Sequence, residues 1–112
     1  MDINVRPRNQ VQVLQMRGDL KLGIAADELR STLDDLVGQG NFKFVFNMSE
    51  VPVMDSSGIG LLVRYLTSVK RQQGNIKLVN PSKFTLQTLK IVGVLSLFEV
   101  FDDENKAVES FG

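Results

Sequence analysis

Phe42-Lys43-Phe44-Val45-Phe46-Asn47-Met48-Ser49-Glu50-Val51-Pro52-Val53-Met54-Asp55-Ser56-Ser57-Gly58-Ile59-Gly60-Leu61-Leu62-Val63 carries the chain from one periodicity to another. Residues 42–48 alternate apolar and polar side chains as a partly buried strand does. From Ile59 onward, Leu62, Val63, Leu66 and Val69 fall on one helical stripe, which Gly74-Asn75 closes. A strand therefore feeds a helix through an Asp-Ser-Ser-Gly seam. The rest of the chain alternates in the same way.

Toward the N-terminus, Val11-Gln12-Val13-Leu14-Gln15-Met16 reads as a strand that stops at Gly18-Asp19, pairing with Ile3 to Val5 across the polar turn Pro7-Arg8-Asn9-Gln10. Ile24, Ala25, Leu29, Leu33, Leu36 and Val37 recur at spacings of three and four, an amphipathic helix ended by Gly38-Gln39-Gly40. Beyond the seam helix, Ile76-Lys77-Leu78-Val79 is a short strand. Asn80-Pro81-Ser82 opens a helix carried by Phe84, Leu86, Leu89 and Val92 and ended near Gly93. Phe98-Glu99-Val100-Phe101 is a last strand. Asp102-Asp103-Glu104-Asn105 supplies an N-cap and acidic first turn for a C-terminal helix through Ala107, Val108 and Phe111. The order β, β, α, β, α, β, α, β, α predicts an α/β layered domain with a mostly parallel sheet and one antiparallel hairpin at its start.

Composition narrows the function. At 112 residues the chain is a single small domain, 1–112, with 43% hydrophobic and 23% charged residues. Thirteen basic and thirteen acidic residues cancel, which speaks against nucleic acid as a partner. With neither cysteine nor histidine, Ser-His-Asp and Cys-His catalysis, disulfides and thiolate or imidazole metal sites are excluded. The N-terminus has no apolar signal region and no run is long enough to span a bilayer, so a cytoplasmic protein with no membrane partner is expected.

Several apparent motifs fail. Gly58-Ile59-Gly60-Leu61-Leu62-Val63 has Val where a dinucleotide fingerprint needs its third glycine, and Gly38-Gln39-Gly40 ends a helix instead of opening one. The serine segment is not Gly-x-Ser-x-Gly. The Asp102-Asp103-Glu104 run lacks the glycine and spacing of a calcium loop. No metal, cofactor or catalytic residue is assigned. Asp55-Ser56-Ser57-Gly58 has two readings. A Ser or Asp there caps the helix. One serine suffices for that, however, and the second hydroxyl with Gly58 and Gly60 leaves a narrow backbone surface for a protein partner, at which a phosphate would reverse the local charge. Leu61, Tyr65 and Ser68 share a helix face near Arg64, as either a docking patch or a cover for the sheet edge.

At these residues the chain resembles the anti-sigma-factor antagonists, bacterial proteins built on the STAS domain. Val13 to Leu20 resembles the family's second strand with its Gly-Asp/Glu-Leu signature, and Asn47-Met48-Ser49-Glu50-Val51 the segment before the switch. Met54-Asp55-Ser56-Ser57-Gly58-Ile59-Gly60 is similar to the phosphorylation-loop motif. Gly93 to Phe98 and Phe101-Asp102-Asp103 with Ala107 resemble the C-terminal pattern. The likeness spans nearly the whole chain.

The resemblance implies a STAS-domain fold: a four-to-five-stranded mixed, mostly parallel sheet with about four helices chiefly on one face. It implies a non-enzymatic partner switch, a monomer or weak dimer. In that scheme the unmodified protein binds an anti-sigma factor that is also a serine kinase and frees a sigma factor. Phosphorylation at Ser56 releases it, and a PP2C-type serine phosphatase restores it. Asp55 and Ser57 would shape the loop, Gly58 and Gly60 would permit approach, and Leu61, Arg64, Asp19 and Lys21 would complete the partner surface. Family members often carry an acid soon after the Gly-Asp/Glu-Leu signature, where this chain has Lys21. The alternative role is a constitutive STAS subunit of a lipid- or anion-transport complex or of a stress-signalling scaffold.

Overall fold

The computed structural model describes residues 1–112. Its centre is β3 (Lys43–Glu50), which pairs in parallel with β2 (Val11–Arg17) on one side and β4 (Asn75–Val79) on the other. β5 (Glu99–Phe101) adds in parallel beyond β4, and β1 (Asp2–Arg8) closes the opposite edge as the one antiparallel strand. The sheet order is β1-β2-β3-β4-β5. The first hairpin is tighter than expected. Its strands run to the Arg8–Val11 pair, and only Asn9 and Gln10 turn, with φ of 50° and 67°. Two consecutive left-handed residues match the right-handed twist of the flanking strands, and Pro7 is tolerated because β1 is an edge.

Four helices cover the sheet: α1 (Ile24–Gly38), α2 (Ser56–Lys70), α3 (Lys83–Val92) and α4 (Glu104–Glu109), with a 3₁₀ turn at Leu95–Leu97 that the sequence pattern did not predict. Strand alternation divides the core in two. Leu14, Met16, Phe44, Phe46, Met48, Ile76 and Leu78 pack with Leu29 and Leu33 of α1, Leu62, Leu66 and Val69 of α2, and Leu89 of α3. Val11, Val13, Val45 and Val79 point the other way, onto Ala107 and Val108 of α4. Three helices on one face and one on the other match the expected layering.

The helical faces differ in detail from the apolar periodicity. Ile24 is 76% exposed in the first turn of α1, and Phe84 and Val92 of α3 are 55% and 52% exposed, while Thr85 and Leu89 are buried. α3 packs chiefly against the 3₁₀ turn, and only a narrow strip of it is buried. The helix boundaries follow local chemistry. Ser82 Oγ accepts from the Thr85 N–H at 3.1 Å, and Gly93 adopts φ 89°, the left-handed conformation that stops a helix.

α4 is held to the sheet by charge as well as by apolar contact. Asp103 caps it as expected, but Glu104 turns to the sheet. Its carboxylate accepts from Arg6 at 2.9 and 3.2 Å, Arg8 at 2.9 Å and Asn47 at 3.1 Å. The Arg6 hydrogen bonds, assisted by Asn47 and Arg8 and opposed by partial burial, bring the Glu104 carboxyl down to about 2. Buried Lys77 reaches Ser110 Oγ at 2.7 Å and lies 4.3 Å from the Phe111 ring centroid.

Candidate functional site

Past Glu50, the chain leaves the sheet and runs alongside the loop that follows β2. The Gly18 N–H donates to Glu50 O at 3.0 Å, Leu20 N–H to Val53 O at 2.9 Å, and Asp55 N–H to Leu20 O at 3.1 Å. Leu20 and Met54 thus form a short parallel bridge, both fully buried. The two loops meet at the carboxyl ends of parallel strands, the usual place for function in α/β sheets.

Asp55 joins them through its side chain. In extended conformation at the N-cap of α2, it accepts from the Ser57 N–H at 3.0 Å and the Gly58 N–H at 3.2 Å through Oδ1. Its Oδ2 accepts from the Leu22 N–H at 3.0 Å. The Leu22 hydrogen bond, helped by Gly58, Ser57 and the charge of Lys21 and opposed by desolvation, lowers the Asp55 carboxyl below its ordinary range. A fixed carboxylate therefore sits on the positive end of the helix dipole.

This resolves the two readings of the serines: Asp55 is the cap, and neither serine is. Ser56, the first residue of α2, is exposed, and its hydroxyl makes no hydrogen bond within the chain, whereas Ser57 is half-buried. Gly58 is buried and faces inward. A Cβ there would lie 2.6 Å from Met54 Cγ and 2.8 Å from Leu20 Cγ, so this glycine permits the two loops to close on the helix and is not presented to a partner. Gly60, one turn beyond Ser56, is exposed with open space where a Cβ would be.

Leu61 is half-buried against the main core, and Arg64 is exposed, its guanidinium 5.9 Å from the Tyr65 ring centroid. Tyr65 does not form the outward patch considered from spacing. It is 5% exposed because α1 lies beside α2, and its hydroxyl donates to the Asp34 carboxylate. Burial first, and Asp34 second, push that hydroxyl up to about 12. Ser68 is exposed without that neighbour. Asp19 and Lys21 are exposed and paired at 3.7 Å.

Two residues that periodicity misplaced or passed over border this rim. Leu22 is 79% exposed and Ile24 76% exposed, on either side of Gly23 with its φ of 111°. The available signal was the isolated Leu22-Gly23 pair after Lys21, an apolar residue in no strand or helix period. The rim thus carries a free hydroxyl and an open glycine on α2, a cation and the exposed Leu22 on the loop joined to it through Asp55, and the exposed Ile24 at the start of α1.

The chain matches the family model described as the STAS domain over residues 2–107. It is 31% identical to the anti-sigma-B factor antagonist of Bacillus subtilis, across 80% of this chain and 88% of that protein. Its fold superimposes on the anti-sigma factor antagonist SpoIIAA in its unphosphorylated form with a TM-score of 0.86 at 20% identity, covering 98% of this chain and 96% of that one. The phosphorylated form of the Bacillus SpoIIAA gives 0.80 at 21% identity, covering 99% and 100%. A sulfate transporter family protein from Wolinella succinogenes shares the fold at 0.76 and 24% identity, covering 92% and 85%. The chain belongs to the STAS domain family, and the relatives that it matches over most of its length include anti-sigma factor antagonists.

Proposed function

We propose that this protein is an anti-sigma-factor antagonist whose binding is controlled by phosphorylation at Ser56. Unmodified, it binds an anti-sigma factor that is also a serine kinase and frees the sigma factor. Phosphorylation releases it, and a PP2C-type phosphatase returns it to the binding state. The observation that carries this reading is the division of labour at the seam. Asp55 meets the helix donors, which leaves the Ser56 hydroxyl exposed and without a partner on the first turn of α2.

Leu22 and Ile24 supply apolar area for a partner, Gly60 lets its backbone come close, and Asp19, Lys21 and Arg64 give the rim its charge. A phosphate there adds roughly −1.5 to −2 charge beside the fixed Asp55 carboxylate. Within a desolvated interface that charge is costly unless paired. No chemistry on a substrate is assigned to the chain.

The test is intact mass and phosphosite mapping after incubation with the cognate kinase. One added phosphate, located at Ser56 and absent in Ser56→Ala, supports the reading. No modification, together with co-purification with membrane ATPase components, would favour a constitutive transporter subunit.

A further inference from the structure

Lys21 lies between two residues that are both hydrogen-bonded to Asp55: Leu20 through its carbonyl at 3.1 Å, and Leu22 through its N–H at 3.0 Å. Its backbone is thereby held against the residue preceding Ser56, while its exposed ammonium pairs with exposed Asp19 at 3.7 Å and also bears on the Asp55 carboxylate. We infer that Lys21 is the internal counter-ion of the Ser56 phosphate, leaving Asp19 to pair with it when Ser56 is modified. This rests on the reading of Ser56 as a phosphorylation site and names how that site acts on the second loop.

The usual resting place for a phosphate at a helix start is the set of free N–H groups in the first turn. Here Asp55 already holds the Ser57 and Gly58 N–H groups, and the Ile59 N–H donates to Asp55 O, which leaves only the Ser56 N–H of the first turn. The phosphate instead meets a carboxylate. Asp19, Lys21 and Asp55 together carry about −1, and a dianion at Ser56 brings the local charge to about −3, so the phosphate competes with Asp19 for the one cation of the group. The Lys21 ammonium on its flexible stem is free to turn to the phosphate, since an exposed ion pair such as Lys21–Asp19 holds its partners weakly. Arg64 lies about two turns along α2 from Ser56, its guanidinium 5.9 Å from the Tyr65 ring centroid, and Lys83 serves as the comparison cation, next to Ser82, whose hydroxyl donates to Pro52 O at 3.0 Å.

Pairing draws Lys21 from Asp19 and leaves that carboxylate bare next to the exposed Leu22. The partner then meets a changed charge on both loops, with Asp19 as well as Ser56 more repulsive to an acidic surface.

The experiment installs phosphoserine at position 56 by genetic incorporation in the full chain, with no kinase, and follows its second ionisation by phosphorus NMR. Lys21→Gln is expected to raise the midpoint by about half a pH unit, the effect of removing one partly screened cation at close range, and Lys83→Gln to leave it unchanged. Amide shifts of Leu22 should follow the same titration in the wild type and not in Lys21→Gln. An unchanged midpoint in Lys21→Gln, or a shift seen only in Lys83→Gln, overturns the inference. Because phosphate is installed directly, a protein that no kinase modifies would undo the proposed function and leave this pairing measurable.

Discussion

The Asp55 carboxylate accepts a hydrogen bond from the Leu22 backbone N–H at 3.0 Å, across 33 residues of sequence. The same group caps α2, so one side chain both starts a helix and fastens the loop after β2 to it. The positions of Ser56, Lys21 and Leu22 relative to one another depend on this carboxylate.

Removing it separates the two functions from the rest of the fold. Asp55→Ala is expected to destabilise the protein by about 1–2 kcal/mol, the usual cost of a lost cap with its buried donors. In urea denaturation the midpoint falls, and hydrogen exchange of the Leu22 amide accelerates beyond the global change. Ser57→Ala, which leaves all three acceptor bonds in place, should sit within about 0.5 kcal/mol of wild type.

The two glycines of the seam should respond in opposite directions. Gly58→Ala places a methyl against Met54 Cγ and Leu20 Cγ, both buried, and is expected to cost about 1–3 kcal/mol. Gly60→Ala meets nothing within 4 Å in a helix interior and should stabilise by about 0.5–1 kcal/mol. Thermal unfolding of the pair checks both signs.

Tyr65 is the single tyrosine of a chain without tryptophan, so its ionisation can be followed directly by tyrosinate absorbance. It should titrate near 12 and not near its ordinary value, and Asp34→Asn should bring it down while burial keeps it raised. A hydroxyl whose folded value is raised contributes stability that is complete below the unfolded value, about 10. That contribution is lost as pH rises toward 12.

Glu104 gives the opposite pH dependence. Its carboxyl is held at about 2 in the folded protein, below its ordinary 4.5, so its contribution is complete above that ordinary value and lost as pH falls toward 2. Glu104→Gln is expected to cost about 1–3 kcal/mol at neutral pH, discounted for Arg6 and Arg8 being about a third exposed. The gap to wild type in urea titrations should narrow below pH 4.5 and close near pH 2.

Element order was legible because each boundary carries local chemistry: Ser82 as a cap, Gly93 as a stop, Asp103 before α4, alternation in β2 and β3. Facing was less legible. Tyr65 belongs to the core only because α1 lies beside α2. Ile24 and Phe84 are exposed although each fits the apolar period of its helix, a fact of the assembled layers and not of any window of sequence. Asp55 and the serines were all competent caps by residue type, and the second bond of the Asp55 carboxylate, to Leu22 N–H in another loop, has no signal in the local sequence. The Glu104 cluster joins residues 98 apart. Gly58 and Gly60 read alike in sequence, and only the proximity of Met54 and Leu20 distinguishes them.

The most direct test of the central claim is calorimetric binding of the cognate anti-sigma factor to two forms of this chain, unmodified and carrying phosphoserine at position 56. The account predicts that the phosphorylated form binds at least about 30-fold more weakly, a loss of about 2 kcal/mol. Equal affinity of the two forms would contradict it.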